Sequence, residues 1–353
     1  MVPMDDNAQD PKPPRRGARA RPLVMAVTVA VTLVFSYVAF SNLDLPQAWR
    51  AVRMSDAWWL IASLGAFALS ALTRAARWRS LFARGRRPPI AAVTNAMLLG
   101  YFYNNILPAR AGEAARVVVL TQRSSTTPVE IVGTVVLERL YDVFAILVIF
   151  FAAEPWLVHV SWFGAAAVAA IVLALAIAAA AIVLAIFGDR PLRVLLRPLS
   201  RLSLLSGERL EHTIAELVHG LSGLRHPDVA LEAFAWTLLS WLLTAASTTF
   251  VIVAFHLHLP AVAGGVLVTV AIGLSMILPS PPAAVGVFEG AALIALRAYR
   301  VPHSSALSCA LVLHMVNFIP LVLAGAFLLH HNARHPRSVV EQPRTQDPAP
   351  VQG

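Results

Sequence analysis

Glu113, Glu138, Asp142 and Glu289 all lie within strongly apolar surroundings. A carboxylate in hydrocarbon is expensive, so such residues face a protein interior or a wet cavity, where they bind, relay protons or pair with cations. Two of them recur in a shared context. Ile106-Leu107-Pro108-Ala109-Arg110-Ala111-Gly112-Glu113 has a counterpart in Ile277-Leu278-Pro279 followed by Gly286-Val287-Phe288-Glu289. Each copy ends an apolar run with Ile-Leu-Pro, passes through small residues, and opens a second run with glycine and glutamate. Proline removes a backbone donor and glycine permits a sharp turn. Pro108 and Gly112, and Pro279 and Gly286, therefore mark breaks in two helices. Matching breaks in two halves of a membrane protein point to a transporter's substrate site.

Each acid admits two readings. Glu113 and Glu289 open short helices, where a carboxylate caps free N–H groups and is favoured by the helix dipole; in a cavity the same group can gate a path or carry a proton. Glu138-Arg139-Leu140-Tyr141-Asp142 sits inside an apolar helix. Glu138 and Asp142 share one face, and Arg139 reaches Asp142 at i+3. That cluster is either a structural clamp or, through Glu138 and Asp142, part of the gating or proton coupling shared with Glu113 and Glu289. Arg110 and Arg116 flank the first break, and Arg297 and Arg300 follow the second. The planar guanidinium fork suits phosphate, so Arg110, Arg116 and Arg139, with Asn105 beside them, are candidates for holding a lipid headgroup, against plain interfacial anchoring. Asn104, His314 and Asn317 are further polar residues in apolar runs, suited to interhelical hydrogen bonds or cavity lining.

The elements that position these residues follow from composition. The chain has 353 residues, 58% hydrophobic and 13% charged. Helices satisfy their own backbone in lipid, so this is an all-α polytopic membrane protein. Long apolar runs exclude an outer-membrane barrel. The net charge of +9 is spread between apolar segments, which indicates topology and not a nucleic-acid partner. The single cysteine, Cys309, excludes an internal disulfide and a thiolate cluster. The histidines lack ligand spacing, and no nucleotide-binding or hydrolase motif is present, so neither metal nor cofactor is expected.

Spanning segments are expected at 23–40, 58–72, 131–152, 163–187, 230–255 and 306–329, with broken regions at 90–120 and 262–296. Arginine placement arbitrates their topology. If both broken regions re-enter the face they leave, Arg74 to Arg87, Arg123, Arg190 to Arg201 and Arg334 to Arg337 all face the cytoplasm; Arg297 and Arg300 fall opposite. The fold expected is six spanning helices and two oppositely oriented re-entrant helical hairpins, arranged as an inverted repeat. Its halves run 23–152 and 163–333 within a membrane domain at 23–333. A cytoplasmic linker with an amphipathic helix occupies 188–228. The basic tail at 1–22 and the polar tail at 334–353 read as disordered. Both termini are expected in the cytoplasm of a bacterium, with the protein in its inner membrane.

Three motifs in order, Asn105 to Glu113, Glu138 to Asp142 and Gly286 to Gly290, resemble the lysylphosphatidylglycerol synthase transmembrane region, also called the flippase-like or UPF0104 family. The resemblance covers nearly the whole chain between the tails. It implies the membrane half of bacterial lysyl-lipid synthases, which moves modified phospholipid between leaflets. Those synthases also carry a soluble aminoacyl-transfer domain, for which this chain is expected to have no room after residue 329. Stand-alone members are similar to proteins proposed to handle hopanoid or polyprenyl lipids. Ser280-Pro281-Pro282-Ala283-Ala284 departs from the family's usual Pro-Gly-Gly and is stiffer. The function expected is translocation of a polar-headed or anionic lipid, without enzymatic activity. The alternatives are a membrane-embedded enzyme using Glu138 and Asp142 on a lipid-linked substrate, and a scaffold for lipid synthesis.

Overall fold

Helix α1, Ala57–Ser80, begins where Asp56 accepts a hydrogen bond from the Trp58 N–H at 2.9 Å. Its faces are sorted inversely to those of a soluble helix. Ser63, Ser70 and Arg77, at seven-residue spacing, are buried, while Ile61, Leu64, Leu69 and Leu72 are exposed. Apolar out and polar in is the arrangement a lipid surrounding selects. The computed structural model describes residues 53–82, 84–107, 111–158, 227–276 and 282–334, with a few isolated positions outside these stretches. The expected span at 23–40, most of that at 163–187, the amphipathic helix and both tails save Arg334 lie outside the described residues, as do Pro108, Arg110 and Pro279.

Seven further helices follow: α2 Ile90–Ile106, α3 Ala111–Thr121, α4 Pro128–Ala153, α5 Pro227–Ala254, α6 Ala261–Ser275, α7 Val287–Ala298 and α8 His303–Arg334. No strand occurs among the described residues. Helices α1, α5 and α8 are long and apolar enough to cross a membrane. Helix α4 has the length, but Glu138, Arg139 and Asp142 interrupt its apolar run. The molecule is thus a helical membrane protein.

Helix α1 extends past the expected end at 72 and carries Arg74 and Arg77 within it, not in a loop. The reason is pairing: polar residues continue the helix because α5 and α4 supply partners. Ser63 and Ser247 bond each other's hydroxyl at 2.8 Å and each other's carbonyl. One heptad on, Ser70 donates to the Ser240 carbonyl and meets the Thr244 hydroxyl, both at 2.9 Å. Lipid provides no hydrophobic drive between apolar helices, so small residues and hydroxyl bonds hold such a seam.

Both broken regions separate into two helices. Helices α2 and α3 pack so closely that a Cβ on Gly112 would lie 2.0 Å from the Gly100 carbonyl oxygen. Between α6 and α7 lies a short 3-10 turn, Pro282–Ala284, which packs against α2. Ala283 and Ala284 hold φ of 54° and 55°, in the left-handed region, and Gly286 holds 84°. Two apolar cores flank the middle of the molecule: one holds Trp78, Met97, Leu120 and Ile131 between α1 and α4, the other Val251, Leu267, Phe288 and Leu313 between α5 and α8.

Candidate functional site

Glu138 and Asp142 lie one turn apart on α4, so a single guanidinium can bridge them. That guanidinium is Arg77 of α1. It is 2% exposed, donates to Glu138 Oε1 at 2.7 Å, and donates through its other terminal nitrogen to Asp142. Arg116 of α3, 1% exposed, takes the second Glu138 oxygen at 2.7 Å and lies 4.0 Å above the Trp78 ring. Its aliphatic stem passes over Gly100, where a Cβ would fall 2.1 Å from Arg116 Cγ. The Trp241 indole N–H donates to Asp142 at 2.9 Å. Burying so many charges is tolerable only when each finds opposite charge and hydrogen bonds.

Arg139 faces another way. Its head lies 3.3 Å from Glu113 and 3.5 Å from Asp142, and it keeps 45% of its side-chain surface exposed. Glu113 stands in the first turn of α3. In the second broken region Glu289 caps α7, accepting from the Gly286 N–H at 2.7 Å. Its other oxygen lies 2.5 Å from His314 Nδ1. That pair is enclosed, with Glu289 3% and His314 12% exposed, and Phe288 and Phe318 pack on the imidazole.

A cavity of about 210 Å³ occupies the middle of the molecule, and all eight helices reach its wall. Arg74, Arg139 and Glu113 form its charged side. Phe67, Tyr101, Trp241, Phe288 and Phe318 add aromatic surface to the cavity. Residues from both breaks meet there: Asn104 and Asn105 end α2, while Ala283 and Ala284 form the turn before α7. Asn104 Oδ1 and Asn105 Nδ2 are buried with no hydrogen-bond partner among the described residues.

Of the residues singled out in the sequence, the cavity brings together Asn105, Glu113 and Arg139, with Asn104 and Asn317. Arg116 is not at an open mouth; burial in the ion cluster commits its head to Glu138. Asp142 and Glu138 stand behind the wall and hold it. Glu289 sits beside the cavity with His314, and Arg297 bonds His303 at 3.0 Å on the exposed end of α7. Sequence reasoning missed Arg74, Arg77 and Trp241. The available signal was the seven-residue stripe Ser63, Ser70, Arg77, which places the arginine on the packed face of α1.

The fold and site define a helical membrane protein with a central cavity walled partly by paired ions. The chain belongs to the family described as the lysylphosphatidylglycerol synthase TM region, which it matches over residues 25–325. It is also similar to a UPF0104 membrane protein of Methanocaldococcus jannaschii, with 23% identity over 255 residues covering 69% of this chain and 99% of the relative. A membrane location and a lipid-related role accord with both.

Proposed function

We propose that this protein translocates a polar-headed or anionic lipid between leaflets, a phospholipid, hopanoid or polyprenyl-linked lipid being the classes in view. The observation that carries this reading is the meeting of residues from both helix breaks at one cavity lined by charged and aromatic side chains. Broken helices supply polar groups at membrane depth where a headgroup must be held. In this reading six helices span the membrane, the two broken regions re-enter from opposite faces as an inverted repeat, and both termini face the cytoplasm of a bacterial inner membrane. Arg139 and Asn105 hold the headgroup; Glu113 and Glu289 gate the path or carry protons.

The engagement of Glu138 and Asp142 by three arginines and an indole disfavours the enzymatic alternative. Neither carboxylate lines the cavity, so neither reaches a substrate held there. The scaffold alternative has no use for a polar cavity.

The test is leaflet-resolved transport by the purified protein in liposomes. We expect fluorescent lipid added to one leaflet to equilibrate faster than in protein-free vesicles and to emerge chemically unaltered. Modified lipid would establish an enzyme. Neither movement nor modification across phospholipid, hopanoid and polyprenyl phosphate probes would leave the scaffold reading.

A further inference from the structure

The two half-helix acids meet bases of different kinds. Glu113 faces Arg139, and a guanidinium does not give up its proton in a protein. Glu289 faces His314, and imidazole is the side chain that ordinarily changes charge near neutral pH. Only the second pair can therefore change charge through its base. Its geometry suits both charge states. Nδ1 carries a hydrogen in the imidazolium and in one neutral tautomer, so Glu289 keeps a donor either way. Phe288 and Phe318 lie with ring centres 4.8 and 4.1 Å from that of the imidazole, and aromatic neighbours accommodate a cation or a neutral ring. The second nitrogen, Nε2, is neither hydrogen-bonded among the described residues nor sealed off, and the side chain keeps 12% of its surface exposed.

A short chain of contacts joins this ring to the cavity wall. One Glu289 oxygen meets His314, and the other accepts from the Gly286 N–H at 2.7 Å. Gly286 closes the turn of Ala283 and Ala284, which line the cavity and hold left-handed backbone. Two alanines in that conformation need restraint from outside the turn. Phe288, Asn317 and Phe318, one residue from Glu289 and one turn from His314, line the same cavity. Other charged and titratable groups nearby are engaged elsewhere. Helix α6 carries none, and α5 carries only Asp228 and Glu232, paired with Arg84 and Arg87. Arg74 and Tyr101 line the cavity from α1 and α2, and Arg77 is committed to the ion cluster. Tyr103 of α2 stacks its ring with Phe102, Arg297 of α7 bonds His303, and Cys309 of α8 is buried in the apolar core. None of these bonds to Glu289 or His314.

We propose that His314 is the proton-binding residue of this protein, and that Glu289 passes its charge state to the turn before α7. The inference rests on the translocation reading for its use, a cavity wall set by proton uptake, but not for its chemistry. With the imidazolium present, Glu289 is half of an ion pair and its cap on Gly286 is tight. When the ring gives up its Nε2 proton to water, the enclosed carboxylate is left with neutral donors alone. That state is costly at membrane depth, and the turn loosens. The first break has no such device, so the two acids divide the work: Glu113 pairs at the cavity wall, and Glu289 transmits a proton's arrival.

The test starts from the ring, in the full-length protein reconstituted in liposomes. Solid-state NMR with isotope-labelled histidines reports the protonation of each ring, and the signals missing from both His314→Asn and His314→Gln belong to His314. We expect Nε2 to lose its proton as the pH rises between about 5 and 8, while Nδ1 keeps its own. Hydrogen exchange then reads the turn. The 282–290 peptide should exchange about fivefold faster once the ring is deprotonated, the difference between a charged and a neutral contact. The reference is His314→Asn at the same pH: its amide nitrogen takes the place of Nδ1, so it keeps a donor for Glu289 and cannot titrate. A second reference, the 57–67 peptide of α1 in the wild-type protein, needs no variant. Glu113→Gln should leave the ring signal and the exchange ratio unmoved. A ring that keeps one protonation state across that range, or an exchange ratio that stays flat, would overturn the proposal. Lipid transport in the same vesicles keeps the two readings apart. A titrating ring and a responsive turn without lipid movement sink only the translocation reading, whereas lipid movement with a silent ring sinks only the proton assignment.

Discussion

The two broken regions use the same acid in the same place and treat it differently. Glu113 and Glu289 each stand in the first turn of the second short helix, and each pairs with a base on the long helix that follows, Arg139 on α4 and His314 on α8. The first pair is half open to the cavity, its base permanently charged and shared with Asp142. The second is enclosed, its base a histidine, its acid also a helix cap. One motif thus yields a half-open ion pair in the first region and an enclosed glutamate–histidine pair in the second. Surroundings, not the motif, decide the role.

The largest expected effect lies behind the open pair. Arg77→Met leaves Glu138 and Asp142 short of their shared cation, and breaking a buried pair costs about 3–5 kcal/mol. Denaturation in detergent should show that loss, and Arg77→Met with Asp142→Leu should recover part of it. A loss under about 1 kcal/mol would mean that the cluster is not a clamp.

The acids themselves should then separate. Glu289→Gln removes a charged partner from an enclosed histidine and should cost about 1.5–3 kcal/mol, while Glu113→Gln, in a half-exposed pair, should cost no more than about 1 kcal/mol. Melting of the two variants side by side decides it; equal losses would erase the distinction between an open and a locked pair.

Much of this arrangement was legible in the sequence. The described helices stop at Ile106 and Ser275 and resume at Ala111 and Val287, on either side of the two motifs, and Glu138, Arg139 and Asp142 pair within the protein because lipid offers them no partner. The partners were not legible. Arg77 reads as a loop residue under the positive-inside rule, since that rule weighs arginines by their nearness to an apolar run's end. Its true partners lie on α4, 61 and 65 residues on. Likewise Arg116 reads as a flank of the first break, and only the close approach of α2 and α3 at Gly100 turns it inward. His314 had polar surroundings in view but no partner, because pairing across elements leaves no local periodicity to read.

The glycines sharpen the comparison further. Gly112→Ala in the first region places a Cβ into the α2 backbone and should destabilise by about 1–3 kcal/mol. Gly290→Ala in the second meets open space and should stabilise by about 0.5–1 kcal/mol through helix propensity. Thermal unfolding that moves both variants in the same direction would contradict the unequal packing of the two regions.

The smallest effect concerns the turn before α7. Ala283 holds a φ of 54°, where a Cβ is penalised by about 1–2 kcal/mol, and glycine removes that penalty at some entropic cost. Ala283→Gly should stabilise by less than about 1 kcal/mol; a clear loss would show that the Cβ packs against the cavity wall instead.

The hydroxyl seam between α1 and α5 limits how such a molecule can move. Its rungs, Ser63 with Ser247 and Ser70 with Ser240, repeat every seven residues on both strands of the seam. Sliding one helix along the other would break both rungs at once, and a shift of about 10.5 Å would restore only one of them. A small rotation about the seam keeps both rungs intact. The seam is therefore an axle and not a rail: its bonds resist sliding of the two long helices along each other and do not resist a small rotation about their line of contact.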